Sequence, residues 1–176
     1  MIVEYGVDSK MLNTKLFGKY NIDNIKTAVS IGLAFGVGFN DIIDAIQCYE
    51  PSNNRSQIRK TDSNTLVCDA YNANPVSMAK AIEAFAEIPE PNKLCILGDM
   101  LELGSASTGE HKAIIGLLRE KGFKSVLLVG PEFSKVAPPD YPSFQNIDEA
   151  IKYIGINCPI NSLILLKGSR GISLEK

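Results

Sequence analysis

Four short apolar runs constrain this chain more than anything else in it: TLVC (65–68), KLCILG (93–98), SVLLVG (125–130) and SLILLKG (162–168). None alternates polar with apolar, so each reads as a strand covered on both faces rather than one with a wet side. Between them lie stretches with helical spacing of apolar residues, at PVSMAKAIEAFAEI (75–88), at about 107–121, and at NIDEAIKYIG (146–155), with a shorter one from Pro131. Parallel strands need a crossover of about a dozen residues or more, usually a helix, to return the chain. The pattern therefore predicts an α/β fold over 52–176: a Rossmann-like, doubly wound, mainly parallel sheet with helices on both faces. SQIRKTD (56–62) and TLVCDAY (65–71) flank a polar turn at Asp62-Ser63-Asn64, which predicts a hairpin at one sheet edge. GISLEK (171–176) reads as the start of a helix.

The first fifty residues follow another rule. IVEYG (2–6) and MLNTKLFG (11–18) read as extended pieces, too few to make a sheet alone. From Asn21 onward Ile22, Ile25, Val29, Leu33 and Phe35 recur at helical intervals, and Gly36 and Gly38 close the segment. Asn40 is expected to cap a second helix over 41–49, which the Pro51-Ser52-Asn53-Asn54 stretch stops.

Lys and Arg number 18 against 20 Asp and Glu, a formal net charge of -2, and no basic cluster stands out. Such a surface argues against nucleic acid, whose phosphate backbone selects for concentrated positive charge. No apolar run approaches the roughly 18 to 20 residues that span a bilayer, and the start MIVEYGVDSK lacks a secretory pattern, so a cytoplasmic protein without membrane insertion is expected. Cys48, Cys68, Cys95 and Cys158 are widely spaced and His111 is the sole histidine, so no metal site is expected. Cys48, Cys68 and Cys95 sit in apolar stretches and read as buried, reduced thiols. His111 reads as a surface residue of the helix near 107–121.

In open α/β sheets ligands bind beyond the carboxyl ends of the strands, which directs attention to three stretches. DAYNANPVSM (69–78) crowds Asp69, Tyr71, Asn72, Asn74 and Ser77 at a strand-to-helix turn. These side chains suit a polar ligand near a positive helix end, or plain turn chemistry with Asn74 as a cap. LGDMLELG (97–104) places Asp99 and Glu102 where they can receive an ammonium, hold magnesium or take a proton from an amine, or simply start the next helix. LLKGSRG (165–171) ends a strand with Lys167 and Arg170, both suited to phosphate or carboxylate oxygens. No G-x-x-x-x-G-K-[ST] phosphate loop occurs in the sequence.

Taken in order, FGKYNIDNIKTA (17–28), the arginine of SNNRSQ (52–57), DAYNANPVSM, LGDMLELG followed by His111, and LLKGSRG resemble the Mur ligases. YNANP together with LGDMLELG is most similar to the branch of that family that adds D-alanyl-D-alanine. The resemblance implies ATP and Mg2+, with UDP-N-acetylmuramoyl-tripeptide and D-alanyl-D-alanine as the other partners, and an acyl phosphate that the incoming amine attacks. It implies that residues 1–51 end a central ATP-binding domain and that 52–176 are the C-terminal domain that closes on the nucleotide. By position, Asn21 and Asn24 match asparagines near the adenine, Arg55 a junction arginine that approaches the nucleotide, and Asp69 an aspartate on the ribose. Tyr71 is carried over to the nucleotide side, and Asn72, Asn74 and Ser77 to the substrate side. Asp99, Glu102 and Lys167 are implied to line the cleft. Lys19 and Tyr20 stand where many relatives have a histidine beside the asparagine. On this reading Asp69 faces solvent, so its loss would weaken nucleotide contacts and hardly touch stability. Another Mur-type or folylpolyglutamate-type ligase, and a non-catalytic Rossmann-like binding module, remain the alternatives.

Overall fold

A computed structural model describes residues 1–6 and 8–176. Six strands form the main sheet: β3 (Gln57–Lys60), β4 (Asn64–Asp69), β5 (Lys93–Gly98), β6 (Val126–Val129), β7 (Ser143–Phe144) and β8 (Ser162–Lys167). Their order across the sheet is β3-β4-β8-β5-β6-β7. β3 runs antiparallel to β4 as the expected edge hairpin, and the other pairs are parallel. β8 lies centrally, with Lys167 opposite Asp69 on one side and Leu97 on the other.

Side chains of a strand alternate between faces, and here both faces are dry. Val67, Cys95, Leu97, Val126, Leu128 and Leu165 point into one core with helices α3 (Pro75–Ala86) and α4 (Ser107–Glu120). The residues between them in sequence, Ile96, Leu127, Val129 and Ile164, meet Ala150 of α6 (Ile147–Ile156) in a second core. This two-sided burial is the doubly wound architecture expected from the apolar runs. Asn74 starts α3 through a capping box, accepting from the Ser77 amide at 2.8 Å while the Ser77 hydroxyl accepts from the Asn74 amide at 3.1 Å.

The N-terminal part has its own small core of Leu12, Ile25, Val29, Phe39, Ile42 and Ile43, between helices α1 (Ile22–Ala34) and α2 (Phe39–Cys48). Several sequence expectations change here. β1 (Ile2–Tyr5) and β2 (Asp8–Met11) pair into a two-stranded sheet of their own, so the second extended piece starts earlier than expected. Phe35 caps α1 with its ring exposed, because at about 100° per residue it points well away from the buried Ile25 and Val29 stripe. α2 begins before Asn40, with Gly38 at the cap position, because Phe39 joins the core beside Ile42 and Ile43. Cys48 is exposed at the end of α2 rather than buried. GISLEK makes only part of a single 3-10 turn, Arg170–Ile172, before Leu174 tucks against the sheet.

Candidate functional site

The carboxyl ends of β4 and β8 meet the N-terminal part at a hydrogen-bonded junction. Asp69 closes β4, and its carboxylate accepts from the Ser56 amide at 3.0 Å, from Lys167 Nζ at 2.6 Å and from the Tyr20 hydroxyl at 3.5 Å. Lys167 is 2% exposed. Its ammonium also approaches the carbonyls of Asp69 and Asn72, at 3.5 and 3.3 Å, so its three donors are engaged within the chain. Burial, then the Asp69 charge, pushes the Tyr20 hydroxyl well above the ordinary phenol range. The solvent-facing Asp69 expected from the sequence is thus corrected: this carboxylate is a structural hub, because strand pairing sets it directly opposite a buried lysine.

From Asp69 the network continues through Ser56. The Asn21 side chain donates to the Ser56 hydroxyl at 3.0 Å and to the Phe17 carbonyl at 2.7 Å, and its oxygen accepts from Asn24 at 2.9 Å. Asn21 is buried and fully committed, whereas the exposed Asn24 keeps a carbonyl oxygen with no partner among the described residues. Beside them opens a cleft of about 420 Å³ that includes Leu16, Asn24, Ile25, Ala45, Tyr49 and Arg55 in its lining. The Arg55 guanidinium lies 3.7 Å from the centre of the Tyr71 ring, and Arg170 lies 5.5 Å from it. Asn21, Asn24, Arg55, Asp69 and Tyr71 are therefore brought to one junction. Asn72 is exposed, with its oxygen taken by the Ala73 amide, while Asn74 and Ser77 satisfy each other in the cap of α3.

Asp99 and Glu102 separate. Asp99 is fully buried, and its two oxygens accept from the Glu132 and Phe133 amides at 2.8 Å each, capping α5 (Pro131–Val136) from another element. Burial raises the Asp99 carboxyl above its ordinary range against the pull of those amides. Glu102 is exposed on a left-handed turn, φ 65°. His111 is buried, not at the surface: its Nε2 accepts from the Met100 amide at 3.1 Å, and its Nδ1 lies 2.7 Å from the Ser107 carbonyl. Since a carbonyl only accepts, the network assigns the proton to Nδ1. The 3.7 Å approach of Nε2 to Asp99 is accordingly no ion pair.

Three further residues hold this region together, and the sequence assigned none of them such a role. Ser56 and Tyr20 join the N-terminal part to Asp69, and Ser169 accepts from the Leu101 amide at 2.9 Å while donating to the Ala73 carbonyl at 3.4 Å. Ser169 thus ties the 99–104 loop to the 70–74 loop. The magnesium ion implied by the resemblance finds no fitting ligand set. Among the described residues no three acidic, His or Cys groups converge, and each oxygen of the buried Asp99 already accepts from an amide.

Comparison with known proteins places these features together. A family model described as "Mur ligase, glutamate ligase domain" matches residues 54–170. The UDP-N-acetylmuramoyl-tripeptide--D-alanyl-D-alanine ligase of Rickettsia prowazekii is 36% identical over 128 residues, 69% of this chain and 28% of that protein. The enzyme of the same name from Bacillus subtilis is 30% identical over 174 residues, 92% of this chain and 37% of its own. A crystal structure of MurF from Acinetobacter baumannii is similar with a TM-score of 0.80 and 28% identity, over 95% of this chain and 38% of that one. The chain thus spans between 28% and 38% of the length of these proteins. Because the family match runs from Asn54 to Arg170, across the sheet and every loop at its carboxyl edge, the chain belongs to the Mur ligase family.

Proposed function

We propose that the chain is the nucleotide-closing part of an ATP-dependent amide-forming ligase that joins D-alanyl-D-alanine to UDP-N-acetylmuramoyl-tripeptide. Residues 1–51 then belong to its central ATP-binding domain and 52–176 to its C-terminal domain. The observation that carries the reading is the cleft beside Asn24. Its volume of about 420 Å³ suits a small ligand, since ligand pockets run from roughly 300 to 1,000 Å³. Leu16, Ile25, Ala28 and Ile46 offer an apolar wall to a flat base, and the free oxygen of Asn24 can accept from an exocyclic amine. Asn21 acts behind it, fixing the Asn24 amide so that its oxygen stays available. Arg55 lines the same cleft and brings positive charge towards the phosphates. Asp69 has at most one acceptor site left for a ribose hydroxyl, since a carboxylate offers about four and three are occupied. The substrates are those of the D-alanyl-D-alanine ligases to which the chain is similar.

Two expected results follow for the chain by itself. ADP binds weakly, no tighter than about millimolar or about -4 kcal/mol, and ATP is not hydrolysed, because no phosphate-cradling glycine loop is present in the sequence. An ADP titration followed by amide chemical shifts should move Asn24, Ala45 and Tyr49. Ala45→Phe, which fills the cleft from an exposed helix position, should abolish those shifts without loss of fold. Micromolar ADP affinity, phosphate release above background, or equal shifts in the filled variant would each overturn the assignment. Equal response to ADP and to a pyrimidine nucleotide would favour the non-catalytic module.

A further inference from the structure

Among the described residues six that are not glycine have a positive φ, and three of them fall in the short segment that joins the two parts of the chain: Asn53 at 57°, Asn54 at 55° and Ser56 at 48°. Asparagine visits this region at little cost. Serine does not, and it stays there only where its surroundings hold it. What holds Ser56 comes from both sides of the junction. Its carbonyl accepts from the Phe17 amide at 3.2 Å, and its hydroxyl accepts from the Asn21 side chain at 3.0 Å and lies 3.3 Å from the Tyr20 hydroxyl. Its own amide donates to Asp69, at the end of β4, at 3.0 Å. Ser56 is itself buried, whereas the Asp69 side chain keeps 14% of its surface exposed.

The rest of the junction is simpler. Phe17, with Tyr20 edge-on against it, packs into the main core, and Lys19 meets Glu87 at 2.8 Å in an exposed pair of the kind that contributes little. The directional bonds across the junction therefore converge on one strained residue and its carboxylate partner. Breaking them lets φ of residue 56 return to the ordinary negative range, so strain favours release while the bonds favour closure. We infer that Ser56 is a strained catch: a positioning residue that holds residues 1–51 against the carboxyl edge of the sheet and gives the junction two states. One is the bonded state seen here, and in the other the segment has relaxed and the two parts have moved apart. Whatever draws the Asp69 oxygens from the Ser56 amide moves the balance towards release. The catch depends on no particular ligand and stands apart from the ligase reading.

The native cysteines supply the test. Cys48 and Cys158 are exposed, one in each part, while Cys68 and Cys95 are buried, so spin labels on the whole folded chain report the distance between the parts by double electron–electron resonance. The parent should give one short distance as its main population. Ser56→Pro, which fixes φ near -65° and removes the amide, should move most of the population to a longer one. Ser56→Ala keeps the strain but loses the hydroxyl, and should raise the share of the longer distance about tenfold, as expected for the loss of a hydrogen bond worth about one such factor. Ser56→Gly also lacks the hydroxyl but adopts a positive φ freely, and should hold the longer distance about tenfold less than Ser56→Ala. Amide exchange in β5 and β8 should match the parent in the alanine and glycine variants, which separates release from unfolding. If Ser56→Pro unfolds the sheet, the alanine and glycine variants decide alone. The catch is overturned if both of these keep the parent's distance distribution, or if glycine fails to reduce the longer population seen with alanine.

Discussion

Asp69→Ala is expected to lower the unfolding free energy by about 3 to 5 kcal/mol, the usual cost of stripping one partner from a buried ion pair. Lys167 is 2% exposed, and among the described residues no second carboxylate pairs with it. Removing Asp69 leaves the ammonium in a dry site with only the carbonyls of residues 69 and 72 for company. It also frees the Ser56 amide and the Tyr20 hydroxyl, and so loosens the seam between the two parts of the chain. Lys167→Met should cost less, because the remaining carboxylate keeps the Ser56 amide and the Tyr20 hydroxyl and is itself partly exposed. The double variant Asp69→Ala/Lys167→Met should recover part of the loss, since an apolar side chain of similar length is content in the site that the charge cannot tolerate. Urea unfolding of the three variants decides the matter through the transition midpoint at constant slope. A loss below about 1 kcal/mol for Asp69→Ala, with a double variant no better than the single, would remove the hub role.

That dependence was not legible in the residues, and the reason is physical. The continuous apolar runs carried the sheet: KLCILG is β5, Lys93–Gly98, residue for residue, and SLILLK is β8, Ser162–Lys167. A run buried on both faces has one solution, so its sequence suffices. β7 is the opposite case, two residues, Ser143 and Phe144, made a strand by register with Leu128 and Val129 and not by anything in PSFQ. The start of α2 was misplaced for a related reason. An asparagine is a good cap in general, but burial of Phe39 beside Ile42 and Ile43 outweighs the cap by drawing the helix back.

For the site, motif order and resemblance singled out Asn21, Asn24, Arg55, Asp69 and Tyr71, and the fold brings them to one junction. What composition and spacing do not carry is which polar groups remain free. Ser169 meets the Leu101 amide 68 residues away, and Asn21 reaches Ser56 across 35. Such pairings exist only once the strands are in order. His111 did leave a signal: with Ile114, Ile115 and Leu118 it falls at i, i+3, i+4 and i+7, the buried stripe of α4. A lone histidine in a helix otherwise rich in polar residues reads as a surface group, whereas periodicity places this one inside.

Gly130→Ala is expected to be the other large effect, about 2 to 5 kcal/mol, through a position that makes no polar side-chain contact at all. Gly130 precedes α5 with φ 124° and ψ 159°, a conformation essentially confined to glycine and costing other residues about 1 to 3 kcal/mol. A Cβ there would lie 2.3 Å from both Cγ and Oδ2 of Asp99, well inside contact distance. Asp99 cannot simply step aside. It is fully buried, and its oxygens receive the Glu132 and Phe133 amides, so displacing it uncaps α5, which by itself costs about 0.5 to 2 kcal/mol. The empty space opposite that amide pair is what lets a carboxylate from β5's end cap a helix more than thirty residues later in the chain. The account makes a coupling prediction. In an Asp99→Ala background the steric part of the Gly130→Ala penalty disappears, because its target is gone, and only the backbone part remains. Denaturant unfolding of the two single variants and the double should therefore show a double variant markedly more stable than the sum of the singles. Strict additivity would mean that Gly130 and Asp99 act independently, and that the glycine is required for its backbone alone.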